Sequence, residues 1–267
     1  MTRHIALGML TPSSNTVLEP MTARILAPHP HITAHFSRFP VTQIALTPTA
    51  LRQFDPAPIL DAARLLADAH VDVIAWNGTS AAWIGFDSDE RLCAAITRET
   101  GIPATSSVLA LNAALHALGA RTLGLVTPYT SDVQSRIVAT YRAAGIKVLA
   151  ERHLNDPGNY SFARFQEPDI LPLLHAVAAA APDAVTALCT NLRATPLAPA
   201  FEAETGIPLL DSIAVTLWHM LHLAGIGPAR IQGWGRIFAT GLQPTPHIPP
   251  YNPRLPRPPG TLPHPPR

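Results

Sequence analysis

A cysteine at the end of a predicted strand has the most reactive side chain in this sequence. Cys189 follows the apolar run 184–188 and precedes Thr190 and Asn191. Backbone N–H groups are unpaired where a strand turns into a helix, and the helix dipole there favours negative charge. We therefore expect a thiol of lowered pKa that can act as an acid, a base or a nucleophile. An inert core cysteine is the alternative, and that is our interpretation of Cys93, which lies within a helical stretch.

A turn of small polar residues is the second candidate. Gly78, Thr79 and Ser80 follow the apolar run 71–76 and offer two hydroxyls and closely spaced backbone N–H groups without bulk. Such a turn can bind a carboxylate or stabilise an oxyanion. The alternative is a plain strand-to-helix turn in which a hydroxyl caps the helix.

Two further turns of this kind each follow a predicted strand. One contains Pro12 and Asn15, and the other contains Tyr129. The phenol of Tyr129 and the amide of Asn15 can both donate hydrogen bonds to a ligand. Either side chain could instead cap a helix or pack in the core.

An internal repeat relates these turns to one another. When Asp72 is aligned with Asp183, Gly78 falls opposite Cys189, and the segment Glu-Thr-Gly-Ile-Pro occurs once further along each half. Two matching blocks in the same order favour two similar halves over a chance resemblance of α/β units. The halves differ where the chemistry would be, because the first has a glycine where the second has a cysteine.

The elements that must position these residues alternate along the chain. Continuous apolar runs predict parallel strands covered on both faces, and the Ala- and Leu-rich stretches between them predict helices. The predicted strands are 5–10, 32–36, 71–76, 122–126, 148–152 and 184–188, and the predicted helices are 57–69, 87–100, 108–118, 131–144, 169–181, 199–205 and 213–224. This order predicts an α/β fold of two pseudo-symmetric lobes, each with a parallel sheet flanked by helices.

The repeat divides the chain into three segments. We predict an N-terminal lobe at 1–118, whose last helix can exchange with the second lobe, and a C-terminal lobe at 119–242. Eleven of the 29 prolines lie in the segment 243–267, so we expect a disordered, extended tail there. Because ligands bind at the carboxyl ends of parallel strands, the turn at Gly78 and the turn at Cys189 should line one pocket between the lobes.

Composition argues against several classes of protein. The 267 residues are 47% hydrophobic and 14% charged with a net charge of +1, so we expect no nucleic-acid or membrane partner. Two cysteines exclude a disulfide scaffold, and without a predicted signal or spanning segment we expect a cytoplasmic protein. Neither the histidines at 29, 31 and 35 nor those at 219 and 222 have a further ligand at suitable spacing, and no dinucleotide-binding glycine turn is present. We therefore predict no metal and no cofactor.

Several of these motifs together resemble a known family. The segment Leu-Thr-Pro-Ser-Ser-Asn-Thr at 10–16 is similar to the N-terminal motif of maleate isomerases, and Gly-Thr-Ser at 78–80 is similar to that of arylmalonate decarboxylases. Tyr129 and Cys189 match the carboxylate-binding tyrosine and the second-lobe catalytic cysteine. The chain from residue 4 to 239 thus resembles the maleate isomerase/arylmalonate decarboxylase family of the aspartate/glutamate racemase superfamily.

The resemblance implies an enzyme that needs no cofactor and acts on a small carboxylate. Racemases and maleate isomerases of this superfamily use one cysteine per lobe, whereas this chain has Gly78 at the first-lobe position. One cysteine is the decarboxylase pattern. It implies decarboxylation of a disubstituted (aryl)malonate-type dicarboxylate, with an oxyanion hole for the retained carboxylate and Cys189 as the proton donor. A Gly78→Cys change would then add a base on the opposite face and confer racemase activity.

The resemblance also assigns roles to the remaining candidates. The expected catalytic residues are Gly78, Thr79, Ser80, Tyr129 and Cys189, and the expected substrate-binding residues are Pro12, Asn15, Asn159, Thr190 and Asn191.

Two alternatives to the decarboxylase remain open. The first is a maleate-type cis-trans isomerase or a racemase of a small carboxylate, including the ectoine-utilisation type, which the segment 10–16 and Asn159 favour. The second is a carboxylate-binding protein without activity, because two α/β lobes can also bind without catalysis. A homo-oligomer is compatible with each of them.

Overall fold

Each half of the chain forms a four-stranded parallel sheet. The computed structural model describes residues 3–44, 46–47, 52–239, 241 and 243–244. The strands are β1 Ile5–Pro12, β2 Ile32–Phe39, β3 Val73–Trp76 and β4 Ala104–Ser106 in the first sheet, and β5 Thr122–Thr127, β6 Lys147–His153, β7 Ala184–Ala187 and β8 Leu209–Asp211 in the second. Their spatial orders, β2-β1-β3-β4 and β6-β5-β7-β8, are the same, which confirms the predicted two-lobe α/β fold.

Helices connect and cover the strands of both sheets. They are α1 Leu18–Leu26, α2 Pro56–Asp68, α3 Ala81–Ile84, α4 Phe86–Thr100, α5 Ser107–Ala117, α6 Ser131–Ala143, α7 Glu167–Ala178, α8 Ala198–Thr205, α9 Ser212–Leu223 and α10 Arg236–Ala239. Within the described ranges no helix has the length and apolar character needed to cross a membrane.

The predicted elements are all present, with ends that differ by at most three residues. The structure adds β4 and β8, which have only three residues each, and the helices α1, α3 and α10. Runs of three or four residues give no usable periodicity. The nine-residue α1 has Pro20 in its first turn, where proline is tolerated but gives no helical signal of its own. The predicted tail at 243–267 lies outside the described residues, apart from 243 and 244.

Aligned residues of the repeat have the same structural role in each lobe. Asp72 accepts a hydrogen bond from the backbone N–H of Ala6 at 2.8 Å, and Asp183 accepts one from the backbone N–H of Thr122 at 2.8 Å. Each aspartate therefore joins the chain just before the third strand of its lobe to the start of the first strand. The repeat seen in the sequence is thus a repeat of stabilising contacts as well.

The two lobes meet along the helices that follow their last strands. Helix α5 of the first lobe packs against α9 of the second. Thr216 Oγ1 donates to Ser107 Oγ at 2.9 Å, and Thr105 Oγ1 lies 2.8 Å from His219 Nδ1. These contacts bring the carboxyl ends of β3 and β7 toward one another.

Candidate active site

A small cavity lies between the lobes at the carboxyl ends of β3 and β7. Its volume is about 20 Å³, which is room for about one water molecule. Side chains must therefore move before a small dicarboxylate can enter. The residues around it are Pro12, Val41, Ile44, Phe54, Trp76, Asn77, Gly78, Thr79, Ser80, Trp83, Tyr129, Asn159, Cys189 and Thr190.

This cavity brings together eight of the ten residues singled out from the sequence. The exceptions are Asn15 and Asn191, which are buried but do not line it. A larger groove of about 480 Å³ lies elsewhere, beside Arg3, His31 and Arg230. It also contacts Ile5, the first residue of β1, so it lies at the amino end of a strand, where ligands of parallel sheets rarely bind.

The Tyr129 phenol connects the two sides of the cavity. Its oxygen lies 2.6 Å from Thr79 Oγ1 of the first lobe and is hydrogen-bonded to the thiol of Cys189 in the second. Burial raises the pKa of Tyr129 well above its usual range, so the phenol stays protonated and keeps a hydrogen to donate. The aromatic ring is held edge-on by Trp83 and Phe162, at centroid distances of 5.2 and 5.5 Å.

The Cys189 thiol is much less acidic than the sequence suggested. Burial raises its pKa to about 12, although hydrogen bonds from the Asn191 backbone N–H and from Tyr129 act in the opposite direction. The expected helix dipole is missing, because Cys189 is followed by a turn and a 3-10 helix at Thr195–Leu197 before α8 begins. The prediction of a lowered pKa was therefore wrong. The thiol is protonated at neutral pH.

Gly78 faces the cavity with an aromatic ring directly above it. A Cβ atom on Gly78 would lie 1.9 Å from Cζ2 of the Trp76 indole, far inside any real carbon–carbon contact. The prediction that Gly78→Cys alone supplies a second base therefore needs correction, because the indole already occupies that space. The contact forms where the chain leaves the sheet, because Trp76 is the last residue of β3 and Gly78 lies two residues beyond it.

Hydrogen bonds fix the cysteine segment to the first lobe. Asn15 Nδ2 donates to Thr190 Oγ1 at 3.1 Å, and that hydroxyl donates to the backbone oxygen of Asn77 at 3.0 Å. Asn191 Oδ1 accepts from two consecutive backbone N–H groups of the first lobe, at 3.0 and 3.2 Å. The amides of Asn15 and Asn191 thus bind protein groups in this structure, and their predicted contact with substrate stays a prediction.

Asn159 completes the polar side of the cavity. Its Nδ2 donates to Ser14 Oγ at 2.8 Å and to the Val41 backbone oxygen at 3.3 Å, and its own backbone oxygen accepts from Asn191 Nδ2 at 2.6 Å. Asn159 thereby joins the loop after β6 to both the first lobe and the cysteine segment.

The sequence did not predict which residues form the apolar lining of the cavity. Val41, Ile44, Phe54 and Trp83 line it, and all but Phe54 are buried. Phe54 packs edge-on against Trp83 at a centroid distance of 6.0 Å. The cavity lining therefore combines hydroxyl and amide groups, here called its polar side, with hydrocarbon groups, here called its apolar side. Among the described residues no group of three or more His, Cys, Asp or Glu side chains is arranged to bind a metal.

Known proteins share this architecture. A family model described as arylmalonate decarboxylase matches residues 17–238. The chain belongs to the arylmalonate decarboxylase family. An arylmalonate decarboxylase from Bordetella bronchiseptica is 30% identical over 183 residues, which are 67% of this chain and 76% of that protein. A maleate isomerase from Pseudomonas putida is 27% identical over 251 residues, covering 90% of this chain and 99% of the relative.

Solved structures agree with this membership of the arylmalonate decarboxylase family. A liganded double mutant of arylmalonate decarboxylase superposes with a TM-score of 0.76 at 26% identity, covering 88% of this chain and 98% of the other. A Nocardia farcinica maleate cis-trans isomerase mutant with a covalently bound succinylcysteine intermediate gives a TM-score of 0.80 at 24% identity, with the same coverage of both chains. The latter likeness establishes the fold, and the family as a whole contains decarboxylases and isomerases.

Proposed function

We propose that the protein is a cofactor-independent decarboxylase of a disubstituted (aryl)malonate-type dicarboxylate. One observation carries the proposal: Cys189 is the one thiol that lines the cavity, and Gly78, its counterpart in the repeat, lies beneath the Trp76 indole. A site with one acid on one face can protonate a carbanion but cannot exchange protons between two faces. Membership of a family that includes arylmalonate decarboxylases agrees with this chemistry.

The retained carboxylate would bind at the polar side of the cavity. The hydroxyls of Thr79, Ser80 and Tyr129 line the cavity, and the backbone N–H groups of Thr79 and Ser80 make no hydrogen bond to another described backbone group. The Thr79–Tyr129 hydrogen bond would be replaced by bonds to the substrate. Donors fixed in this way stabilise the negative charge that develops in the transition state more than that of the ground state.

The second carboxylate would lie against the apolar side, beside Val41, Ile44 and Phe54. Loss of hydration there favours its departure as CO2. The carbon–carbon bond breaks, its electron pair passes into an enediolate on the retained carboxylate, and Cys189 donates its proton to the α-carbon. The resulting thiolate would keep hydrogen bonds from the Asn191 backbone N–H, which lies 3.3 Å from Sγ, and from Tyr129, and it would recover a proton from water.

The raised pKa of Cys189 fits this role. A thiol with a pKa of about 12 carries its proton at neutral pH and is a poor nucleophile, because only the thiolate attacks carbon. The enediolate that it protonates is strongly basic, so a weak acid is sufficient. Protonation from one fixed side would yield a single enantiomer of the monoacid.

A maleate-type cis-trans isomerase is the second candidate. The succinylcysteine of the Nocardia farcinica enzyme is a sulfur–carbon adduct, and Cys189 is the one residue of this cavity that could form its equivalent. Asn159 and the segment 10–16 also favour this candidate. A thiolate nucleophile would, however, require the pKa of Cys189 to fall on substrate binding.

One NMR experiment separates these candidates. The purified protein is incubated in D2O with phenylmalonate, methylphenylmalonate, maleate, aspartate or a hydantoin-type substrate. We expect the malonates to lose CO2 and their products to gain one deuterium at the α-carbon. Maleate should remain unchanged, and aspartate should show no exchange of its α-proton. Alkene isomerisation of maleate, or α-exchange without CO2 loss, would overturn the decarboxylase proposal, and binding without turnover would indicate a carboxylate-binding protein.

A further inference from the structure

We propose that Trp76 is the residue that makes the site one-sided. Its indole fills the space where a second acid–base side chain at position 78 would stand, and it covers the substrate face opposite Cys189. The inference rests on the proposed function for its catalytic consequence. Its structural part, the exclusion of any side chain at position 78, can be tested on the folded protein alone.

The first observation explains the glycine at position 78. Gly78 does not have a positive φ, so its backbone conformation is open to other residues. A Cβ atom there would meet three atoms of the Trp76 ring, at 1.9, 2.3 and 2.4 Å. The indole of Trp76, and not the backbone, is therefore what requires glycine at this position.

The second observation is that the indole is confined. Trp76 is only 1% exposed and ends β3, where its backbone pairs with Leu10 and Ser106. The ring packs on Phe39 at a centroid distance of 5.0 Å, and the Trp76 side chain is hydrogen-bonded to the buried carboxyl of Asp89. A ring held by packing and a polar neighbour cannot turn aside at little cost for a new side chain at position 78.

The third observation comes from the other lobe. Ala187 ends β7 and pairs with Val126 and Asp211, in the same register position as Trp76 in the first sheet. Two residues later, Cys189 occupies the position of Gly78. The first lobe therefore has Trp76 at the strand end and Gly78 two residues later, whereas the second lobe has Ala187 and Cys189 at these positions. The size of the last strand residue decides whether the second position after it can bear a side chain that reaches the cavity.

A double-mutant cycle tests the steric part. Gly78→Ala and Gly78→Cys should each lower the Tm by about 5 °C or more in the native background. In a Trp76→Ala background, or in Trp76→Leu if the smaller residue folds poorly, the same changes should lower Tm much less, because the ring is gone. Trp83→Ala is the matched control, since it also removes an indole from the cavity but not the one above Gly78. Equal losses in all backgrounds would overturn the proposal.

The stereochemical consequence of the proposal is tested with a double variant that has the second lobe's Ala and Cys at positions 76 and 78. Trp76→Ala combined with Gly78→Cys should give a racemic monoacid and should exchange the α-proton of the product with D2O. One thiolate would remove that proton and the opposite thiol would deliver another, so protons balance. Gly78→Cys alone and Trp76→Ala alone should not catalyse this exchange. A folded double variant that keeps one enantiomer and shows no exchange would overturn the proposal.

Absence of malonate turnover in the native protein would instead count against the proposed function. The double-mutant cycle on Tm would still decide the role of Trp76.

Discussion

The two lobes have the same backbone plan and opposite chemistry. In the second lobe, Ala187 at the end of β7 leaves room for the thiol of Cys189, and in the first, the Trp76 indole at the end of β3 leaves room only for Gly78. The duplicated fold supplies two equivalent turns at one cavity. Two side-chain volumes decide which turn supplies an acid and which supplies a flat, unreactive surface.

Each lobe also contains a buried carboxyl that is paired with a hydroxyl, but the two groups occupy opposite positions in the two lobes. In the first lobe, Asp89 of α4 interacts with Ser106, which caps α5. In the second, Asp211 caps α9 and accepts from Thr195 Oγ1 at 2.6 Å. Both lobes thus contain a buried carboxyl paired with a hydroxyl, but the carboxyl caps the helix in the second lobe and the hydroxyl caps it in the first. The thiol, in contrast, lines the cavity in the second lobe only.

The largest expected effect is the loss of the thiol. Cys189→Ala should lower kcat for malonate decarboxylation by about 10²–10⁴-fold, because no other thiol, carboxyl or imidazole is among the described residues that line the cavity. The monoacid that still forms should lose its enantiomeric excess. Kinetics and chiral chromatography measure both effects, and Cys93→Ala, which removes the buried cysteine of α4, is the control. Full activity of Cys189→Ala would contradict the assigned role.

The acidity of the same thiol can be measured without substrate. A pKa of about 12, three above the ordinary value of 9.0, predicts a thiolate fraction about 10³-fold lower at pH 8 than in a free cysteine. Iodoacetamide should therefore alkylate Cys189 very slowly up to pH 10, and mass spectrometry of the Cys93→Ala variant measures the rate. Rapid alkylation below pH 8 would show an activated thiolate and would favour the isomerase.

The phenol that joins the two sides is expected to have an intermediate effect. Tyr129→Phe removes the hydroxyl that lies 2.6 Å from Thr79 Oγ1 and is hydrogen-bonded to Cys189. Loss of one such donor should lower kcat by about 10²–10³-fold and change KM less. Tyr141→Phe is a matched control, because Tyr141 is equally buried but does not line the cavity. Equal effects of the two changes would mean that Tyr129 acts only through packing.

The smallest expected effect concerns stability and pH. Burial raises the pKa of Asp89 to about 7 and that of Asp211 to about 6, both above the unfolded value of 3.8. Folding therefore takes up protons between pH 4 and 7, and the free energy of unfolding should fall as the pH rises through this range. In Asp89→Asn the difference in the free energy of unfolding between pH 4 and pH 8 should be smaller by about 2–4 kcal/mol. Urea unfolding at the two pH values measures this difference. A stability that rises with pH in the native protein would contradict this assignment.

Much of the architecture could be predicted because its signals are local. Apolar runs and helical stretches predicted parallel sheets but not the order of their strands, and the repeat predicted two similar lobes. The three-residue strands β4 and β8 were missed, since their pairing depends on neighbours distant in sequence. Local periodicity predicts elements, whereas the ends of sheets depend on tertiary contacts.

The cavity was less predictable for the same reason. The acidity of Cys189 was predicted from an assumed helix start, but burial by residues of both lobes determines it. The apolar residues Val41, Ile44 and Phe54 come from the connection after β2, and nothing in their spacing indicates that they face a cavity. The contact of Trp76 with Gly78 had no readable signal either, because Trp76 ends β3 and Gly78 lies beyond the strand.

The hydrogen bonds between Thr190, Asn191 and the first lobe have a consequence for how the two halves depend on each other. The placement of the thiol in the second lobe depends on the first, because Asn15 and the backbone N–H groups after it orient the segment that bears Cys189. The halves are consequently not interchangeable. Two copies of either one alone would lack the thiol or lack the asparagine that positions it.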